Sequence, residues 1–152
     1  MRMLRRSFQI GLIRWCLLLF FGLIAVELRA EDLNIEAQLI WGTNAEKSPD
    51  PSHKPVDKPT AEKLRKVFKW KNYFLVNKQN TIIKSRTTKQ IVLSKRCTVE
   101  ITELAGPKVE VKLIGDQKPV NKTVKPLSKG ECFVITGEDE NESPWFIIIK
   151  QN

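Results

Sequence analysis

The sequence predicts a mainly β protein: a single β-sandwich or barrel-like domain of about eight strands with one short amphipathic helix. Three observations carry this expectation. From residue 72 onward, apolar residues recur at alternate positions in short runs, the period of a half-buried strand. Turn formers punctuate those runs at close intervals, as at Gly106-Pro107, Gly115-Asp116, Gly130 and Pro144. Convincing helical periodicity in the exported portion is confined to residues 60–69.

Residues 1–30 read as a secretory signal peptide rather than part of the fold. Arg2, Arg5, Arg6 and Arg14 supply a positive leading region. Trp15 to Val26 is an apolar run of twelve residues, shorter than the roughly 20 that a membrane-spanning helix needs. Ala30 places a small residue at the cleavage position. Arg5-Arg6-Ser7-Phe8 partly matches the twin-arginine export motif, but the strongly apolar run behind it suits the general secretory route better. The expected mature chain, residues 31–152, therefore begins near Glu31 and lies in the periplasm or outside the cell, with no stable membrane span.

The full chain has 26 Lys+Arg and 17 Asp+Glu. Five of those basic residues and one of the acidic ones fall within residues 1–30, leaving 21 against 16, a net charge of +5. The excess is mild, consists mostly of lysine and is spread along the chain. Readers of nucleic-acid phosphates cluster their charge and favour the bidentate guanidinium of arginine.

Leu33, Ile35, Ala37, Leu39 and Trp41 alternate with Asn34, Glu36 and Gln38, which predicts a first strand ended by Gly42. Residues 44–59 hold Pro49, Pro51, Pro55 and Pro59, a spacing that denies both helix and central strand. This stretch reads as an extended surface crossing, with the chain's one histidine, His53, solvated within it. The helix follows over residues 60–69, with Asp57 as N-cap and Pro59 in the first turn. Ala61, Leu64, Val67 and Phe68 form its apolar stripe. So short a helix is marginal in water and must dock on the strands downstream.

Strands are expected at 73–77, 81–84, 90–93, 97–104, 108–114, 120–127, 132–136 and 145–149. Residues 97–104 and 108–114 form the clearest hairpin, and 120–127 is polar enough for an edge. Segments 132–136 and 145–149, CFVIT and WFIII, are apolar on both faces, which predicts positions in mid-sheet or under the helix. Cys97 and Cys132 are an even pair in an oxidising compartment, and a disulfide between them is expected over two separate buried thiols.

The order of signal peptide, strand, proline-rich crossing, helix with FKWKNYFLVN, strands, and the closing SKGECFVITG and PWFIII resembles a group of uncharacterised small bacterial exported β-proteins. The resemblance covers most of the mature chain. It implies a fold and a compartment; the group has no assigned activity, so no functional residue carries over.

Motifs of catalysis are lacking: the sequence has no glycine-rich phosphate loop, no nucleophile elbow, no paired His ligands and no Cys–His arrangement. No enzyme activity, cofactor or metal is expected. Gly137 to Glu142 is a dense oxygen cluster whose spacing fits no EF-hand, and it reads as the charged tip of the last hairpin. Asn121-Lys122-Thr123 and Asn141-Glu142-Ser143 are glycosylation sequons, relevant in a eukaryotic host. Two function classes remain. One is an exported, non-enzymatic interaction or structural accessory of the bacterial cell envelope, with an envelope protein as partner. The alternative binds an anionic polymer (nucleic acid, acidic polysaccharide or lipid headgroups) through Lys63, Arg65, Lys66, Lys69, Trp70 and Lys71, a basic helix face interleaved with an aromatic.

Overall fold

Two antiparallel sheets pack face to face in a computed structural model that describes residues 32–104, 106–138 and 144–152. The expected signal peptide lies outside these residues. The strands are β1 (Leu33–Thr43), β2 (Lys54–Pro55), β3 (Asn72–Ile83), β4 (Thr88–Ser94), β5 (Cys97–Leu104), β6 (Lys108–Gly115), β7 (Lys118–Pro126), β8 (Cys132–Glu138) and β9 (Pro144–Gln151), with helix α1 (Lys58–Val67) between β2 and β3. One sheet has the order β2-β3-β1-β9-β8 and the other β4-β5-β6-β7. The barrel does not close, and the fold is β-sandwich-like.

Alternation in the strands sorts side chains into two cores. Ile35, Ala37 and Leu39 of β1 point at the facing sheet, where they meet Ile91, Leu93, Val99, Ile101, Val111 and Leu113. Ile40, on the opposite face of β1, joins Tyr73 and Phe146 under Leu64 of α1. The five-stranded sheet is thus buried on both faces where the helix covers it. This double burial explains why WFIII is apolar throughout: Ile147 and Ile149 enter the inter-sheet core while Phe146 and Ile148 meet the helix side.

Asp57 caps α1, its carboxylate accepting from the Thr60 backbone N–H at 2.9 Å and from the Thr60 hydroxyl at 2.8 Å. The helix starts two residues earlier than expected and stops at Val67, because Phe68 is already extended. The stripe is correspondingly narrower. Ala61 and Leu64 are buried and Phe68 packs its ring 4.7 Å from that of Phe146, but Val67 is 74% exposed. At helical spacing, position 67 rotates past the edge of the stripe set by residues 61, 64 and 68.

Two strand expectations are corrected. The segments 73–77 and 81–84 are parts of one strand, β3. Its polar middle, Lys78-Gln79-Asn80, pairs with Gln38, Ala37 and Glu36 of β1, so the backbone ladder carries it through. CFVIT is not central: β8 bonds to β9 and forms an edge of the five-stranded sheet. β7 is an edge, as its polarity predicts, and β3 bulges at Val76, opposite the step from Leu39 to Ile40.

The crossing between the sheets is fixed by Glu103, the one buried charged residue among the described residues. It accepts from the Ser85 hydroxyl and from the Arg86 backbone N–H, holding the 84–87 turn in which Arg86 adopts a positive φ of 56°. In the middle of β3, beside its bulge, the Asn77 side-chain amide donates to the Leu93 carbonyl at 2.9 Å and links sheet to sheet.

Candidate functional site

Beyond Asn77 the five-stranded sheet continues. The pairing runs on through Phe74, Trp41 and Trp145, three aromatics side by side on neighbouring strands. Trp41 and Phe74 have ring centroids 6.2 Å apart. Trp145 lies across Gly137 of β8, where a Cβ would overlap its indole. Trp41 and Trp145 share the parity of Leu39 and Ile147, so they continue the inward face of the sheet, and both are half-exposed. The loop after β1 folds back over this shelf. Pro49 and His53 of that loop, with Leu39, Ile40, Trp41, Val76 and Trp145, enclose a cleft of about 300 Å³.

The loop staples itself. His53 Nδ1 lies 2.9 Å from Ser48 Oγ, and its Nε2 lies 3.6 Å from Asp50 Oδ2. The His53 backbone N–H donates to the Asp50 carbonyl at 3.2 Å. Asp50 also accepts from the Ser52 hydroxyl and backbone N–H, which hold its carboxyl below the usual range. Contrary to the expectation of a solvated histidine, the His53 side chain is only 16% exposed. Ser48, His53 and Asp50 have the residue types of a hydrolytic triad. Their carboxylate, however, is half-exposed and distant, and each contact closes a local turn. The trio shapes one wall of the cleft.

The expected basic patch is partly committed to structure. Lys63, Arg65 and Lys66 are exposed on α1. Arg65 donates from Nε to the Lys71 carbonyl at 3.0 Å, fastening the helix exit. Trp70 packs against Gly42, where a Cβ would come within 3.2 Å of its ring, and belongs to the core under the helix. Lys69 Nζ sits 5.2 Å from the centre of the Trp70 ring. Among the described residues, Lys63, Lys66, Lys69 and Lys71 form no ion pair. Of the expected patch, Arg65 is therefore tied to the helix exit, and Trp70 packs under the helix while keeping its contact with Lys69.

The expected disulfide is absent: Cys97 and Cys132 are free thiols. Cys97 begins β5 and packs against the inter-sheet core, where burial pushes its pKa up to about 11. Cys132 begins β8, an edge of the other sheet, and is exposed. Equal parity of cysteine count holds no information on which sheet each one joins.

β8 and β9 pair from Glu138 and Pro144 inward, and most of the acidic cluster expected at the hairpin tip, residues 139–143, lies outside the described residues. Among the described residues no group of three His, Cys, Asp or Glu is placed to hold a metal ion, and no helix is long and apolar enough to cross a membrane. A second depression, of about 600 Å³, is lined by Asn34, Asn80, Thr81, Lys89 and their neighbours and lacks aromatics.

Sequence periodicity placed Trp41 on the apolar face of the first strand and read the segment of Trp145 as apolar on both faces. It held no sign that the facing sheet leaves them half-exposed, nor that Pro49 and His53 return to wall them in. Compared with known proteins, the chain matches no family model, no curated protein and no solved structure.

Proposed function

We propose that the protein is an exported, non-enzymatic interaction module of the cell envelope that holds a partner protein through the aromatic cleft at the end of the sandwich. The observation that carries this reading is the composition of the cleft: two half-exposed indoles, a proline, a stapled imidazole and the aliphatic residues Leu39 and Val76 around about 300 Å³. Apolar concavities with few polar groups suit the capture of an apolar side chain, and aromatic anchors dominate such contacts. Retention of an envelope protein on the immobilised module tests it. Binding through the cleft persists at high salt and is lost in Trp41→Ser; binding that disappears with salt and ignores Trp41→Ser contradicts it.

A second reading rests on a separate observation, the four lysines at positions 63, 66, 69 and 71, which have no carboxylate partner among the described residues. On it, the helix face binds an anionic polymer. Retention on heparin or DNA would then fall steeply with salt and drop when Lys63, Lys66 and Lys69 are changed to Gln. Equal retention of this variant and the parent removes that reading.

A further inference from the structure

We propose that β8 is a self-pairing edge, through which a second copy of this chain adds to the five-stranded sheet about a two-fold axis. The argument begins with a comparison of edges. An edge strand turns the N–H and C=O of every second residue away from its sheet, and proteins block such edges with lysine, proline or a bulge. β7 carries Lys118, Lys122 and Lys125, with Pro119, Pro126 and a bulge opposite the step from Leu113 to Ile114. β4 carries Lys89 and a bulge before Ser94. β3 is covered at Phe74 and Leu75 by β2 and has Lys78 beside its own bulge. β8 reads CFVITGE: it has no lysine, proline or bulge, and its seven pairs with β9 run in unbroken register. Val134 is 39% exposed, and Cys132 and Thr136 are exposed as well.

The strand is also complementary to itself. An antiparallel pairing centred on Ile135 overlaps all of β8. It sets Val134 against Thr136 of the second copy, a β-branched pair of the kind that supports sheets. It sets Cys132 against position 138 of the second copy. Cys132 is small and exposed, so no bulky side chain blocks that end of the pairing. The same surface meets itself, as a closed two-fold interface requires.

Sedimentation of the exported protein over a concentration series, combined with hydrogen exchange at residues 132–138, tests this. The parent should form dimers, with β8 amides exchanging more slowly as concentration rises. Val134→Lys and Thr136→Lys replace exposed side chains and should each keep the parent's thermal midpoint while weakening association at least about tenfold. Val134→Thr should associate as the parent does. Should one lysine variant fail to fold, the other decides. A parent that stays monomeric at every concentration overturns the proposal, as do lysine variants that dimerise like the parent. Protection of β8 that does not change with concentration overturns it too, because the edge is then covered by the chain's own residues.

Discussion

At the scale of single residues, the structure assigns several side chains one identifiable task each. Glu103 holds the turn between the sheets while almost fully buried. Glu103→Leu keeps the bulk but leaves the Ser85 hydroxyl and the Arg86 N–H without their acceptor. A loss of about 1–3 kcal/mol is expected, measured by denaturant unfolding. Cys97 and Cys132 differ in environment rather than in chemistry. Under non-reducing, native conditions a thiol reagent should label Cys132 readily and Cys97 only on unfolding, because burial holds the Cys97 thiol protonated. Failure of both to react before reduction would restore the disulfide.

Several carboxylates share a direction of shift. For Glu36, burial pushes the pKa up, but hydrogen bonds from Lys78 and Gln38 outweigh it and the net shift is downward. Asp57 is lowered by the Thr60 backbone and side-chain hydrogen bonds, and Asp116 by Arg96. A carboxylate whose folded pKa lies below its unfolded value contributes stability above the unfolded value, and loses that contribution as pH falls through the folded one. The thermal midpoint should therefore be flat from neutral pH down to about 5 and decline below about 4. A midpoint that rises on acidification would contradict these pairings.

Helix α1 shows how element-scale logic refines a pattern read from sequence. Its cap, its proline in the first turn and its buried positions Ala61 and Leu64 were all legible, because each is set by local chemistry. Val67 was not, since its exposure depends on where the chain turns extended after the helix. Leu64→Ala should cost about 2–5 kcal/mol, whereas Val67→Ala should stay within about 0.5 kcal/mol. Equal effects at the two positions would mean that the helix docks through another face. The same distinction governs the strands. An unbroken apolar run marked β9, and alternation located β1, β5 and β6 well, since each has a buried face. It placed β8 in mid-sheet because an apolar edge and an apolar centre look alike in a period-two pattern. Topology decides between them, and topology is a matter of long-range pairing.

For the molecule as a whole, a mainly β domain with one docked helix followed from strand periodicity and turn spacing, whereas the choice of sandwich over closed barrel came from the pairing of the strands. The cleft did not, because it arises from four separate stretches: the end of β1, the loop through Pro49 and His53, Val76 of β3, and the start of β9. No local pattern joins them. The loop through residues 44–53 was read as a plain crossing, and its prolines do deny regular structure. Its second role, as a wall stapled by His53, depends on contacts formed only in the fold.

The central claim is that recognition occurs in this cleft and not on the basic helix face. A photo-reactive amino acid introduced at Pro49, an exposed residue on the rim of the cleft, and separately at Lys66 on α1, tests it most directly in cells that produce the protein. The account predicts a discrete protein adduct from position 49 that is unchanged by salt and abolished by Trp41→Ser, and none from position 66. Adducts from position 66 alone, or a position 49 adduct that survives Trp41→Ser, would contradict it.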